Sequence, residues 1–150
     1  MWIDLLRSST LIAAIVAVSV NGPSNVPEGY EAKLSSLLQT VVSEDGLVDY
    51  NLLRGPLRDS LREIVDLVEV YNGPLESDDQ KKAFWMNAYN VHMLLNIVEN
   101  PDVRDIIEDG YAEQFFKSDR VAAGRIISLD EIEHTILRRQ PADRHTDLSV

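Results

Sequence analysis

The sequence of 150 residues contains no cysteine. This absence excludes disulfides, thiolate zinc sites, iron–sulfur clusters and a thiol nucleophile from the chain. The sequence also lacks a Gly-x-Ser-x-Gly nucleophile turn, a glycine-rich phosphate loop and a zincin His-Glu-x-x-His motif. The residues therefore form no complete catalytic constellation, and we predict neither a cofactor nor a metal site.

Basic residues are scarce. Lys and Arg number 14 against 25 Asp and Glu, which gives a formal net charge of -11. An acidic surface repels phosphate backbones and anionic lipid headgroups, so we expect no nucleic-acid partner and no peripheral membrane role. Hydrophobic residues at 45% and charged residues at 26% are the proportions of a folded chain, and the length fits one domain.

The first 22 residues have the pattern of an export segment. Residues 11–20 are apolar except for Ser19, and the helix-breaking residues 21–23 follow them. Ala17 and Ser19 stand two apart, as small residues do before a signal-peptidase cut, and the run is shorter than the roughly 20 residues that span a bilayer. We predict a signal peptide and a secreted or extracytoplasmic location. The alternatives are an uncleaved N-terminal membrane anchor and a cytoplasmic amphipathic start; no other transmembrane segment is predicted.

The rest of the chain is predicted to be mostly α-helical after a linker at 23–29. Apolar stripes at helical spacing indicate helices over about 30–42 and from Pro56 to about 71. The longest helix is predicted over about 78–99, because a capping box (SDDQ) precedes it and Asn-Pro follows it. This helix is apolar nearly all round, so we expect it to be central and packed by the amphipathic helices.

Two smaller elements complete the prediction. Residues 121–127 indicate a small β-hairpin that turns near Ala123-Gly124. A second capping box begins at Ser128 and opens a helix to about Arg139.

Asparagines inside the central helix are the first candidates for a site. Asn87 and Asn90 are three residues apart, and their amides need hydrogen-bond partners if buried. The simpler interpretation is that they tie neighbouring loops to the helix; the alternative is that they orient a ligand or a catalytic partner. His92 and Asn96 are expected on a less buried face of the same helix.

His134 is the third candidate and Glu133, beside it, is the fourth. Asp130 precedes His134 by one helical turn, a spacing at which a carboxylate can hold an imidazole and raise its pKa. Glu131 and His134 form one Glu-x-x-His step, but di-iron sites need two such steps and two further glutamates. A structural histidine remains the alternative to a functional one.

Three segments match one family pattern in order and spacing. Residues 45–50 are DGLVDY, residues 83–90 are AFWMNAYN, and residues 124–138 are GRIISLDEIEHTILR. They resemble the Asp-Gly-x-Val-Asp-Tyr, Ala-Phe-Trp-Ile-Asn-Ala-Tyr-Asn and Ser-Leu-Asp-Asp-Ile-Glu-His segments of the family known as domain of unknown function 547. The resemblance extends over roughly residues 34–145.

In that family the pattern continues with Arg-x-His, a leucine and a strand that bears cysteines. Here His145 follows Arg144 directly, and aligning His145 places Leu148 on the family leucine, two residues before Val150. The resemblance therefore implies a partial, truncated α+β domain over residues 30–150.

Two hypotheses for the function follow. The favoured one is an exported binding or scaffold module, inactive as an enzyme in this form. The alternative is a portion of an enzyme, cysteine-dependent in one version, whose site is completed by residues beyond Val150. A domain without its last strand leaves apolar surface uncovered, so we also expect self-association of the chain.

Overall fold

The computed structural model describes residues 30–71 and 75–138. The predicted leader at 1–22, the linker at 23–29, the helix stop at 72–74 and the tail from 139 onward lie outside the described residues.

The described residues form six α-helices, one π-helical turn and one β-hairpin, and the predicted mostly α class is confirmed. The elements in chain order are α1 (Tyr30–Val41), α2 (Tyr50–Arg54), α3 (Arg58–Glu69), α4 (Asp78–Glu99), α5 (Ala112–Lys117), β1 (Arg120–Ala122), β2 (Arg125–Ile127), α6 (Leu129–Glu131) and the π-turn (Ile132–Leu137).

Helix α4 begins and ends where its sequence signals predict. The Ser77 hydroxyl accepts a hydrogen bond from the Gln80 amide at 3.1 Å, and the Gln80 side chain accepts one from the Ser77 amide at 2.9 Å. Asn100 ends the helix. Thirteen of its 22 residues are buried, so α4 forms the centre of the core, against α2, α3, α6 and the π-turn. Within the described ranges, no helix combines the length and the apolarity needed to cross a membrane.

The segment between α1 and α3 is a compact turn. Gly46 adopts a φ of +78°, which favours glycine, and the Asp49 carboxylate caps α2 by accepting from the amides of Asn51 and Leu52. Helix α3 begins at Arg58 instead of near Pro56, because the turn after α2 is still closed by a bond from the Arg58 amide to the Gly55 carbonyl.

The hairpin packs against α3 and α4. Arg120 pairs with Ile127 and Ala122 with Arg125 in an antiparallel register. The turn residues Ala123 and Gly124 have positive φ, and their amides donate to carbonyls at the end of α3 at 2.9 and 2.8 Å. The hairpin is therefore fixed to α3 by its turn.

The C-terminal helix differs from the regular α-helix that we expected. A buried Ser128 caps α6, and from Ile132 the winding becomes π, with the Arg138 amide bonded to the Glu133 carbonyl at 2.9 Å. In this winding, backbone hydrogen bonds join residues five apart. The Arg138 guanidinium also contacts the Glu133 carboxylate.

Candidate functional site

A surface groove lies between α5 and the C-terminal helix. Its volume is about 480 Å³. The lining residues are Ala112, Glu113, Phe116 and Lys117 from α5, and Asp130, Glu133 and His134 from α6 and the π-turn. Two of the four predicted candidates, Glu133 and His134, are thus brought together at one cavity.

The α5 wall of the groove carries its own ion pair. Lys117 lies 3.0 Å from the Glu113 carboxylate, one turn away on the same helix. The hydrogen bond and charge of Glu113 raise the pKa of Lys117, and the charge of Asp130 adds to this effect. Asp130 therefore acts on Lys117 from the other element that lines the groove.

His134 is held in one tautomer when it is neutral. Its Nδ1 lies 3.1 Å from the carbonyl oxygen of Asp130 and 3.5 Å from the carboxylate of the same residue. A carbonyl can only accept, so Nδ1 must carry the proton in this bond. The Nε2 atom of the neutral ring is then a free acceptor, as a general base or a hydrogen-bonding site requires.

Glu133 is the least exposed charged group of the groove. Only 14% of its side chain is accessible, and its carboxylate contacts the Arg138 guanidinium and accepts from the Tyr89 hydroxyl at 3.4 Å. Burial, followed by the charge of Glu133, raises the pKa of Tyr89. The phenol therefore stays protonated and keeps donating to the carboxylate.

The two asparagines lie away from this groove. Asn87 is buried beside the Tyr30 side chain of α1, and Asn90 is half-buried; neither lines the cavity. Two residues along an α-helix turn by about 200°, so Asn87 and Tyr89 point to opposite sides of α4. A joint role of Asn87, Asn90 and His134 in one site stays a prediction.

His92 and Asn96 are buried, and the expectation of a less buried face was wrong. Each is 1% exposed, because the hairpin and α5 cover this side of α4. The His92 Nε2 bonds to the Val121 carbonyl at 2.9 Å, and the Asn96 amide donates to the Phe115 carbonyl at 3.1 Å. These two residues make the ties to neighbouring backbone that we had assigned to Asn87 and Asn90. The apolar surroundings of both positions in the sequence were the signal for burial.

A metal centre finds no support in the side-chain positions. Over residues 30–71 and 75–138, no three His, Asp or Glu side chains cluster closely enough to hold an ion. The Glu131 carboxylate turns back to the Ser128 amide and hydroxyl, at 2.9 and 3.0 Å. The Glu-x-x-His step therefore does not converge on one point.

Comparison with protein families gives one match, which includes both elements that line the groove. The model of the family described as "Protein of unknown function, DUF547" matches residues 75–149. The chain belongs to this family. The match begins just before α4 and takes in α5, the hairpin and the C-terminal helix. No curated protein and no solved structure matches the chain.

The family segments have clear structural roles in this member of the DUF547 family. Phe84 and Trp85 are in edge contact, with ring centroids 5.2 Å apart, and both are buried in the core. Gly124 holds the hairpin turn with a φ of +67°, and Ser128 caps the helix that carries the groove residues. Much of the motif thus builds the scaffold, while Glu133 and His134 face the cavity.

Proposed function

We propose that this chain is a binding module that takes an ammonium or guanidinium group on an apolar stem into the groove. The observation that carries the proposal is the chemistry of the C-terminal wall. Asp130 and Glu133 line one cavity with carboxylates, and the Nε2 atom of His134 is a further acceptor there whenever the ring is neutral.

A wall of acceptors selects a ligand that brings donors. The Asp130 side chain lines the groove and is about half exposed at 49%, with its carboxylate 3.5 Å from the His134 Nδ1. The Phe116 ring and Ala112 line the opposite wall, where an aliphatic stem finds apolar contact. The net charge of -11 also draws cations to the surface.

A titration followed by amide chemical shifts tests this proposal. The probe is Nα-acetyl-lysine amide at millimolar concentration, and its matched control is Nα-acetyl-glutamate amide. We expect shifts confined to residues 112–117 and 129–137 with the lysine probe only. Equal shifts with both probes, or shifts elsewhere on the surface, would contradict the proposal.

Substitutions test whether the lysine probe binds at the C-terminal wall of the groove. Asp130→Asn removes one charge at a half-exposed position, and we expect it to weaken binding of the lysine probe about threefold to tenfold. Glu63→Gln is the matched control, because it removes a charge from α3, where Glu63 pairs with Lys33. An identical effect of both substitutions would mean that net charge alone drives the association.

A part in an enzyme is the second candidate, favoured by His134. Its free Nε2 at a cavity fits a general base, and the chain has no cysteine to serve as its nucleophile. Sequencing the gene past Val150 and weighing the protein isolated from its source would show whether a cysteine-bearing segment follows. A natural product that ends at Val150 would refute this candidate for the chain.

Export completes the proposal. Its support is the apolar run at 11–20 followed by the break at 21–23. N-terminal sequencing of the protein from fractionated cells tests it: a chain that begins near residue 20 in the extracytoplasmic fraction agrees, and a full-length chain in the cytoplasm does not.

A further inference from the structure

A buried histidine joins the central helix to the hairpin. His92 is 1% exposed, and its Nε2 lies 2.9 Å from the Val121 carbonyl. Because a carbonyl only accepts, Nε2 carries the proton. The other ring nitrogen, Nδ1, is buried and has no hydrogen-bond partner. The geometry therefore accommodates the neutral ring and offers nothing to a second N–H.

The surroundings of this ring oppose a positive charge. The charged group that acts on His92 among the described residues is Arg120 of β1, which contacts Asn96 one turn along α4. Glu69 of α3 meets the hairpin through its backbone carbonyl. No carboxylate of the described residues is bonded to the imidazole. Burial, with a contribution from Arg120, lowers the pKa of His92.

We propose that His92 is an acid-sensitive latch that holds the hairpin against α4 while the ring is neutral and releases it on protonation. A proton on Nδ1 has no acceptor in the closed arrangement, and the charge of Arg120 opposes the positive ring. The ring satisfies its second N–H by reaching water, which requires the Val121 strand to separate from α4. This inference does not depend on the ligand proposed for the groove.

Release of the hairpin also changes the groove. The hairpin leads directly into Ser128, which caps the helix that bears Asp130 and His134. On α4, His92 lies one turn after Tyr89, the donor to Glu133. The latch therefore makes the geometry of the groove dependent on pH.

The sign and size of the effect follow from linkage. His92 binds a proton more weakly in the closed state than in the open state, so the closed state is fully favoured above the ordinary value of 6.5. As pH falls below 6.5, each unit multiplies the opening constant by up to about ten, until the pH reaches the lowered pKa of the closed state. Between pH 7.5 and 5.0 the opening constant thus rises by up to about 30-fold.

Amide hydrogen exchange on the whole chain tests the latch. The reporters are the amides of Ala123 and Gly124, which donate to α3, compared with those of Val91 and Leu95 in the middle of α4. We expect the protection factors of the hairpin reporters, corrected for intrinsic exchange, to fall about 10-fold to 30-fold from pH 7.5 to 5.0. They should also lie at least tenfold below those of α4 at pH 5.0. Equal protection of hairpin and helix at both pH values would overturn the proposal.

Two further measurements separate the latch from a general acid effect. His92→Gln keeps an uncharged donor for the Val121 carbonyl and should make hairpin protection independent of pH, whereas His134→Gln on the exposed wall should leave the wild-type dependence. Long-range ¹H–¹⁵N spectra of the wild-type imidazoles do not rely on a folded variant. They should show His92 protonated on Nε2 alone above pH 7. A His92 ring that is doubly protonated while the hairpin remains protected would refute the latch.

Discussion

Replacing the two capping serines by alanine gives a matched comparison on one molecule. The hydroxyls of Ser77 and Ser128 each accept a hydrogen bond from the amide three residues later, at 3.1 Å in both cases. The side chain of that later residue in turn accepts from the backbone amide of the serine. The surroundings differ, because the Ser77 box is exposed and the Ser128 box is partly buried. The same substitution therefore leaves the orphaned amide open to water at the Ser77 cap and partly shielded by protein at the Ser128 cap.

The difference in surroundings sets the expected cost. Loss of an N-cap side chain typically costs about 1 kcal/mol, within a range of about 0.5–2 kcal/mol. Water can replace the Ser77 hydroxyl, so we expect about 0.5–1 kcal/mol for Ser77→Ala. At Ser128 the orphaned amide is partly shielded, and the Glu131 carboxylate also loses its hydroxyl donor. We expect about 2 kcal/mol for Ser128→Ala.

Urea denaturation followed by circular dichroism measures both costs. With a slope near 2 kcal/mol per molar urea, Ser128→Ala should lower the midpoint by about 1 M and Ser77→Ala by about 0.3–0.5 M, at unchanged slope. Ser128→Thr keeps the cap and should recover most of the loss. Equal costs at the two serines would refute the argument from burial.

Three further expectations concern other parts of the fold. The pKa of Glu131 is lowered, first by the hydrogen bond from the Ser128 amide and then by that from the Ser128 hydroxyl. The stability that this carboxylate adds above pH 4.5 should therefore be lost as pH falls. In Glu131→Gln, the urea midpoint should depend less on pH between pH 6 and 3. Leu53→Ala empties a site with 0% exposure and should cost about 2–5 kcal/mol in the same assay, with the half-buried neighbour Leu52→Ala costing less. Ile126 is 74% exposed, so Ile126→Lys should reduce the predicted self-association in sedimentation velocity at matched ionic strength; a wild-type chain that is strictly monomeric would contradict this prediction.

The sequence predicted those elements whose ends carry local chemical signals. Helix α4 was expected over 78–99 and spans Asp78–Glu99, because a capping box and an Asn-Pro pair act within a few residues of the ends. The hairpin was predicted for a similar reason, since its turn needs residues such as Gly124 that tolerate positive φ. Local chemistry decides these features, so a local pattern reveals them.

Features that depend on tertiary packing could not be predicted in the same way. Within the π-turn, Glu133 contacts Tyr89 of α4, a residue 44 positions away. The burial of His92 depends on where a hairpin 29 residues later comes to rest. For the groove, the sequence suggested Glu133 and His134, but the contribution of α5 appears only once two short helices are adjacent.

The polar residues of α4 explain how one helix organises the other elements. Tyr89, His92 and Asn96 form a polar stripe, because their spacing of i, i+3 and i+7 places them on one face of α4. From this face they bond to Glu133, Val121 and Phe115, respectively. Asn87 lies on the opposite side, toward α1. Apolar contacts are not directional, so apolar contacts alone would allow α5, the hairpin and the C-terminal helix to shift along α4. Each hydrogen bond of the stripe forms at only one position of the partner element along α4. A buried donor that loses its partner costs about 1–3 kcal/mol. The stripe therefore sets the register of the three elements, and through them it places Glu133 and His134 at the groove.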